Sequence, residues 1–175
     1  DTAVTGSVSA SDVDSQTLTY SLATDGANGT AVVNGDGSYS YTPGADFAGA
    51  DSFVIKVTDG NETDTITVNV TVDPENDAPV AANGTASATE DAGAVSIDVA
   101  DLVSDVETAD AELVVTAAVD PQQGTVSVSG TVITFTPAAN FNGTADIAYT
   151  VRDAGGLTAS AVIGVAIAAE NDGPV

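Results

Sequence analysis

TPGADFAGADSFVIKVTD, residues 42–59, returns as TPAANFNGTADIAYTVRD, residues 136–153, at a constant spacing of 94 residues. Inside this stretch Phe53, Ile55 and Val57 alternate with polar or small residues, and so do Ile147, Tyr149 and Val151 in the second copy. A period of two puts each trio on one face of a β-strand. Outward from it the match continues. Leu18, Asp25, Gly29 and Thr30 pair with Leu113, Asp120, Gly124 and Thr125 at a spacing of 95, and ENDAPV (75–80) pairs with ENDGPV (170–175) at the same spacing. The spacing changes only at NGDG (34–37), after Asp59, and beyond Asp105. These sites read as loops, which absorb length changes that cores do not. Self-similarity at a fixed period means one structural unit used twice.

Two further strands show the same alternation. Ile66, Val68, Val70 and Val72 correspond to Ile163, Val165 and Ile167, and Tyr39 and Tyr41 correspond to Ile133 and Phe135. The second of these runs follows a hairpin turn, NGDG in one copy and Ser129-Gly130 in the other. No helical periodicity of useful length appears. Short strands at intervals of about 8 to 12 residues, with Gly, Asn and Asp between them, predict a sandwich. The expectation is an all-β chain of two tandem seven-stranded Greek-key β-sandwiches, residues 1–77 and 78–175, joined by an acidic linker at 73–79. With 175 residues shared between two repeats, each core is near the small end of what holds a domain together.

The chain carries 26 acidic residues against Lys56 and Arg152, a net charge of −24. Nucleic acid and anionic membrane surfaces are excluded as partners. Self-repulsion of this size costs stability unless cations offset it. No cysteine is present, so there is neither a disulfide nor a thiolate metal site. No run approaches the roughly 20 apolar residues of a membrane span, and no basic, apolar leader opens the chain. Asp1 begins directly in strand-like sequence, and a monomeric fragment of a secreted bacterial protein fits this composition best. Catalysis has little to work with. There is no His or Cys, the two cations lie in different repeats, and no Ser sits in a nucleophile elbow. The chain is expected not to be an enzyme.

The carboxylates cluster. Asp12 and Asp14 stand in SASDVDS, and Asp105 and Glu107 stand at the equivalent place, with Asp110 and Glu112 close behind. Asp59 and Asp153 each close a strand before a Gly-containing loop. Asp73, Glu75, Asn76 and Asp77 form DPENDAP, and Glu170, Asn171 and Asp172 form its copy. In a sandwich the loops between the second and third strands and between the sixth and seventh lie at the end the preceding linker enters, so these clusters can converge. A hard cation taking about 6 to 8 oxygen ligands suits them, and a transition metal does not. An EF-hand is excluded, because DVDSQ (12–16) is followed by neither the required Gly nor the distal Glu. Asp25, Asp36 and Asp120 read as turn residues. Tyr20, Tyr39, Tyr41 and Tyr149 read as inward-facing, and Lys56 and Arg152 as outward-facing.

VSASDVDSQTLTYSL, FVIKVTDG, TITVNVTV and DPENDAPV, with TEDAGAVSIDV and FTPAANFNGTADIAYTVRD in the second copy, resemble the cadherin repeat. They are similar in particular to the bacterial cadherin-like repeats of very large surface adhesins. The resemblance implies calcium bound between repeats. Asp73, Glu75, Asn76 and Asp77 would be junction ligands, with Asp105, Glu107 and Asp153 reaching from repeat two. Asp12, Asp14 and Asp59 would serve a junction with an upstream repeat, and Glu90 would serve a downstream one. Glu-Asn-Asp replaces the family's usual Asn-Asp-Asn, and Ala168 replaces a leading Asp, so one or two ions are implied at the central junction. The loop before the sixth strand, with Asp46 and Asp51 or Asn140 and Asp146, lacks an acidic pair.

The function implied is a non-catalytic calcium-binding structural or adhesive repeat, a rigid extender of a large secreted or cell-surface bacterial protein. Its partners would be neighbouring repeats of the same chain, like repeats on another chain, or a cell-surface glycan. The alternative is a module binding polysaccharide or another cell-surface ligand.

Overall fold

The computed structural model describes residues 2–14, 17–171 and 173. Two compact units divide between Glu75 and Asn76. The first contains β1 (Val4–Ser7), β2 (Thr19–Thr24), β3 (Gly29–Val33), β4 (Ser38–Pro43), β5 (Gly49–Thr58) and β6 (Thr63–Val72). These form two antiparallel sheets, β1-β4-β3 and β2-β5-β6. The NGDG turn closes the β3–β4 hairpin. Asn34 N–H donates to the Ser38 carbonyl at 2.8 Å, and Gly37 N–H donates to the Asn34 carbonyl at 3.0 Å. Gly37 sits at φ 89°, where a Cβ would also strike the Val8 carbonyl, so only glycine fits.

Alternation along β5 does what the sequence predicts. Phe53, Ile55 and Val57 are buried and meet Tyr20, Ala31 and Tyr41 from the other strands. Tyr41 stacks on Phe53 at 5.9 Å between ring centroids, and Tyr39 meets the same ring edge-on at 5.2 Å. Both arrangements suit the aromatic quadrupole. Lys56, on the same strand, is exposed.

The second unit contains β7 (Val80–Ala81), β8 (Gly84–Thr89), β9 (Val95–Asp98), β10 (Val103–Ser104), β11 (Val114–Ala118), β12 (Gly124–Ser129), β13 (Val132–Pro137), β14 (Gly143–Arg152) and β15 (Thr158–Ala168). One sheet runs β11-β14-β15-β8 and the other β12-β13-β9, while β7 and β10 pair as a two-residue ribbon. The β8–β15 contact is parallel, with Gly84 opposite Ile163 and Thr89 opposite Ala168. Ile133, Phe135, Ile147, Val151, Ile163 and Val165 are fully buried, and Tyr149, 1% exposed, donates its hydroxyl to the Ala82 carbonyl at 2.6 Å. Arg152 points outward.

The all-β sandwich reading holds. Among the described residues the units carry six and nine strands where seven each is expected. In unit 2 the segment 99–113 is cut into short pieces by two 3-10 turns, Ala100–Leu102 and Asp110–Glu112. In unit 1 no described strand corresponds to β8. The repeated TPxA(D/N)F turn keeps its shape in both copies, with Asp46 at φ 59° and Asn140 at φ 56°. Asp and Asn tolerate that left-handed region better than other side chains do.

Candidate metal-binding cradle

Within unit 2, β14 ends at Arg152 and delivers Asp153 into the loop that follows. Its side chain is 2% exposed. Oδ1 accepts the N–H groups of Gly156 and of Leu157, the latter at 2.8 Å, and Oδ2 accepts the Asn76 amide at 2.8 Å. A Cβ at Gly155 would run into that amide, so this glycine permits the approach. Burial pushes the Asp153 carboxyl up. Hydrogen bonds from Asn76, Leu157, Gly156 and Gly155 outweigh it and hold the group below the ordinary carboxylate value.

Asp105 follows β10. Its Oδ1 accepts the N–H groups of Glu107 at 3.1 Å and Thr108 at 2.6 Å, an Asx turn that fixes the loop. Its Oδ2 is buried and has no hydrogen-bond partner. Glu107 Oε2 accepts the Asp77 N–H at 3.1 Å. Thr108 is 4% exposed and its hydroxyl accepts the Ala154 N–H at 3.2 Å, joining the Asp105 loop to the Asp153 loop. Five residues named from sequence, Asn76, Asp77, Asp105, Glu107 and Asp153, are thereby linked in one hydrogen-bonded assembly. Thr108 was not foreseen, since a lone threonine among acids carries no signature.

The donor set fits a hard cation, being carboxylate and amide oxygen with no nitrogen or sulfur ligand. The orphaned Asp105 oxygen fits too, because a buried carboxylate oxygen without a partner is costly in the absence of a positive charge. Among the described residues no three acidic side chains are gathered closely enough to form a finished cage.

The remaining candidates lie elsewhere. Asp73 and Glu75 are exposed residues of unit 1 beyond the end of β6. Asp12 and Asp59 line one cavity of about 350 Å³ in unit 1, together with Glu62 and Asp64, which the sequence reading did not name. Asp59 is held below the ordinary carboxylate value by N–H groups of Glu62 and Asn61, at 2.7 and 2.8 Å. Asp14 is exposed, does not line that cavity, and donates its N–H to Asp12 Oδ1 at 2.8 Å. Glu90 is 4% exposed. Its oxygens accept the Glu170 N–H at 2.9 Å and the Asn142 amide at 3.0 Å, which puts it beside the ENDGPV segment. Asp172 of that segment lies outside the described residues. Asp25, Asp36 and Asp120 all accept nearby backbone N–H groups, as turn residues do.

Two all-β sandwich units in tandem, with acidic loops of this pattern, define an Ig-like, cadherin-like repeat protein. The chain belongs to the Bacterial Ig domain family, whose model matches residues 1–71 and 76–166. Its fold is similar to human protocadherin-24 EC1-2, with TM-score 0.62 and 18% identity over 97% of this chain and 88% of that one. Mouse cadherin-23 EC22-24 is also similar, with TM-score 0.54 and 16% identity over 88% of this chain and 53% of that one. The chain spans about a quarter of two endo-fucoidan hydrolases from glycoside hydrolase family 107, 24% and 26% of their lengths. Their identity is 20% and their TM-scores are 0.43 and 0.41, too low to bear on activity. No curated protein matches the chain. No helix among the described residues is long and apolar enough to cross a membrane.

Proposed function

We propose that this chain is a non-catalytic, calcium-binding structural repeat of a secreted or cell-surface bacterial protein, with neighbouring repeats of the same chain as its partners. The observation that carries the proposal is the buried, unpartnered Oδ2 of Asp105, in a loop that Thr108 joins to the Asp153 loop. A bound calcium ion supplies the divalent charge that this oxygen lacks and offsets part of the −24 on the chain. Asp105 and Asp153 are each held in place by backbone N–H groups, so their orientation is set by the fold. Asn76 and Asp77 are the last acidic-linker residues before the two prolines' segment ends, and their attachment to Asp153 and Glu107 anchors that end of the linker. Asp73 and Glu75 are the linker's further oxygen donors in this reading. Asp12, Asp14 and Asp59 are the counterpart set in unit 1. Ordering the linker makes the repeat an extender that resists bending, which is the adhesin-like use of such a unit.

Extracellular modules bind calcium with dissociation constants on the order of 10⁻⁴ to 10⁻³ M. A hundredfold excess then stabilises by about 2.7 kcal/mol per site. The melting temperature is expected to rise with calcium and fall on chelation. Small-angle scattering is expected to show a stiffer chain at millimolar calcium, with circular dichroism unchanged. A melting curve indifferent to calcium and chelator removes the metal assignment, and stiffness indifferent to calcium removes the extender role.

A further inference from the structure

Four asparagines stand directly before a glycine: Asn28, Asn34, Asn83 and Asn142. At three of these steps the fold accounts for the glycine. A Cβ at Gly29 would strike the Tyr41 hydroxyl and the Thr42 carbonyl, one at Gly84 would strike Leu102, and Gly143 sits at φ 122°. Each of these glycines also opens a strand, paired with Pro43, Ile163 and Ile167 respectively. The asparagines before them are tied as well. The Asn28 N–H donates to Asp51 Oδ2 at 2.9 Å, Asn83 Oδ1 accepts the Val162 N–H at 2.9 Å, and the Asn142 amide donates to Glu90. Gly35 is different. It lies in the exposed turn between β3 and β4, takes no positive φ, and a Cβ there would meet only Thr19, at 3.8 Å. Alanine would fit this position, so the conformation does not call for glycine. Among the described residues the Gly35 N–H donates to no partner, and the Asn34 side chain is held by one exposed hydrogen bond, to Ser38 Oγ at 2.9 Å.

We propose that Asn34–Gly35 is a self-modification site, at which the folded chain converts Asn34 to aspartate and isoaspartate without an enzyme and ahead of the other three asparagine–glycine steps. The Gly35 nitrogen gives its proton to water and attacks the Asn34 Cγ. The new N–Cγ bond closes a five-membered imide, and the side-chain nitrogen takes a proton from water and leaves as ammonia. Water then opens the ring. Attack at Cγ restores the main chain with an aspartate, and attack at the backbone carbonyl leaves isoaspartate, whose main chain runs through Cγ. Glycine favours the first step because it has no Cβ to hinder the approach of its nitrogen. The same step makes the Asn34–Gly35 peptide leave its bonded geometry. At Asn34 that opens a surface turn and at the other three a strand end, and exposed turns open at lower free energy than paired strands. The products act back on the turn. The amide that donates to Ser38 is lost, and a carboxylate takes its place on a hydroxyl whose single proton already goes to Asp36 Oδ1 at 2.7 Å. Conversion therefore loosens the β3–β4 hairpin.

The test ages the full chain at neutral pH and follows each asparagine by peptide mass spectrometry, with the chain in urea as reference. In urea all four steps are expected to convert at similar rates. In buffer, Asn34 is expected to convert about tenfold or more ahead of Asn28, Asn83 and Asn142, with an acidic shift on isoelectric focusing. Gly35→Ala is expected to slow the conversion of Asn34 about tenfold while circular dichroism stays unchanged. Conversion of any of the other three first overturns the proposal, and so does an Asn34 that stays intact in buffer as long as they do. An equal lead for Asn34 in urea also overturns it, because the selection then belongs to local sequence and not to the fold. Ageing of Asn34 in Gly35→Ala at the parent rate overturns it as well.

Discussion

Tyr41 and Asp51 form a polar pair in unit 1, hydroxyl to Oδ2 at 2.6 Å, and the equivalent positions in unit 2 hold Phe135 and Ala145, both fully buried. Replacing both partners by apolar groups costs little, whereas removing one leaves the other unsatisfied. Asp51→Ala is therefore expected to destabilise unit 1, and adding Tyr41→Phe is expected to restore part of the loss. The recovery is partial because Asp51 also accepts the N–H groups of Ala27 and Asn28. Denaturant titration of the single and double variants checks this. The pair also sets a pH dependence. The Tyr41 hydroxyl and the Asn28 N–H lower Asp51 from 3.8 to about 2. A depressed carboxylate contributes stability above its unfolded value and loses it as pH falls from 3.8 towards 2. Tyr41 is pushed up to about 12, by burial first and Asp51 second, so its contribution is lost as pH rises from 10 towards 12. Melting of unit 1 between pH 2 and 4 is expected to depend less on pH in Tyr41→Phe. In the cradle, Asp105→Ala and Gly155→Ala are each expected to weaken calcium binding about tenfold or more, the second by displacing Asn76. Asp36→Ala, which loses only the Ser38 turn bonds, leaves binding unchanged by calorimetry. Equal effects of Asp105→Ala and Asp36→Ala sink the assignment. The spacing of the acids pointed to the Asp105 and Asp153 loops, which Thr108 joins by its hydrogen bond to Ala154. The Thr108 link and the Tyr41–Asp51 pair were not legible, because each depends on strand register that no local pattern encodes.

Strands β6 and β15 carry nearly the same alternation, Ile66-Val68-Val70 and Ile163-Val165-Ile167, and their burial differs because, among the described residues, only β15 has a strand along its outer edge. Sequence reading found both strands and could not tell them apart in this respect. What covers β15 is GTASAT, whose small residues give no apolar alternation to recognise. Depth of burial is here a property of the neighbour and not of the strand. Ile163→Ala is expected to cost about 2 to 5 kcal/mol, as for large-to-small changes at closed sites. Ile66→Ala is expected to cost clearly less, because water already reaches that site. Urea unfolding of the two variants measures the difference, and equal costs contradict this account of the two sites. The β5 and β14 strands, buried on one face and paired on both edges, were the most legible elements for the opposite reason, since their inward residues are buried by neighbours on both sides and the alternation shows.

Among the described residues, the core of unit 1 consists of six buried residues and that of unit 2 of fourteen. Apolar burial is the main favourable term in folding, so the units are expected to unfold in two transitions, with unit 1 first. Calorimetry should resolve two peaks, and protection from amide exchange should reach its maximum in β14 and not in β5. A single transition with equal protection in both strands contradicts independent units. Lys56 and Arg152 make the same comparison accessible to a protease. They are the chain's entire stock of basic residues, one per unit. Lys56 lies between Ser21 and Thr65, and Arg152 between Val114 and Thr158, each paired on both sides. Trypsin can cut neither until its central strand is released, and release of that strand means the opening of the unit that holds it. The sequence therefore contains one cleavage reporter for each unit and no other, and the order in which the two cuts appear on a gel reads out which sandwich opens first.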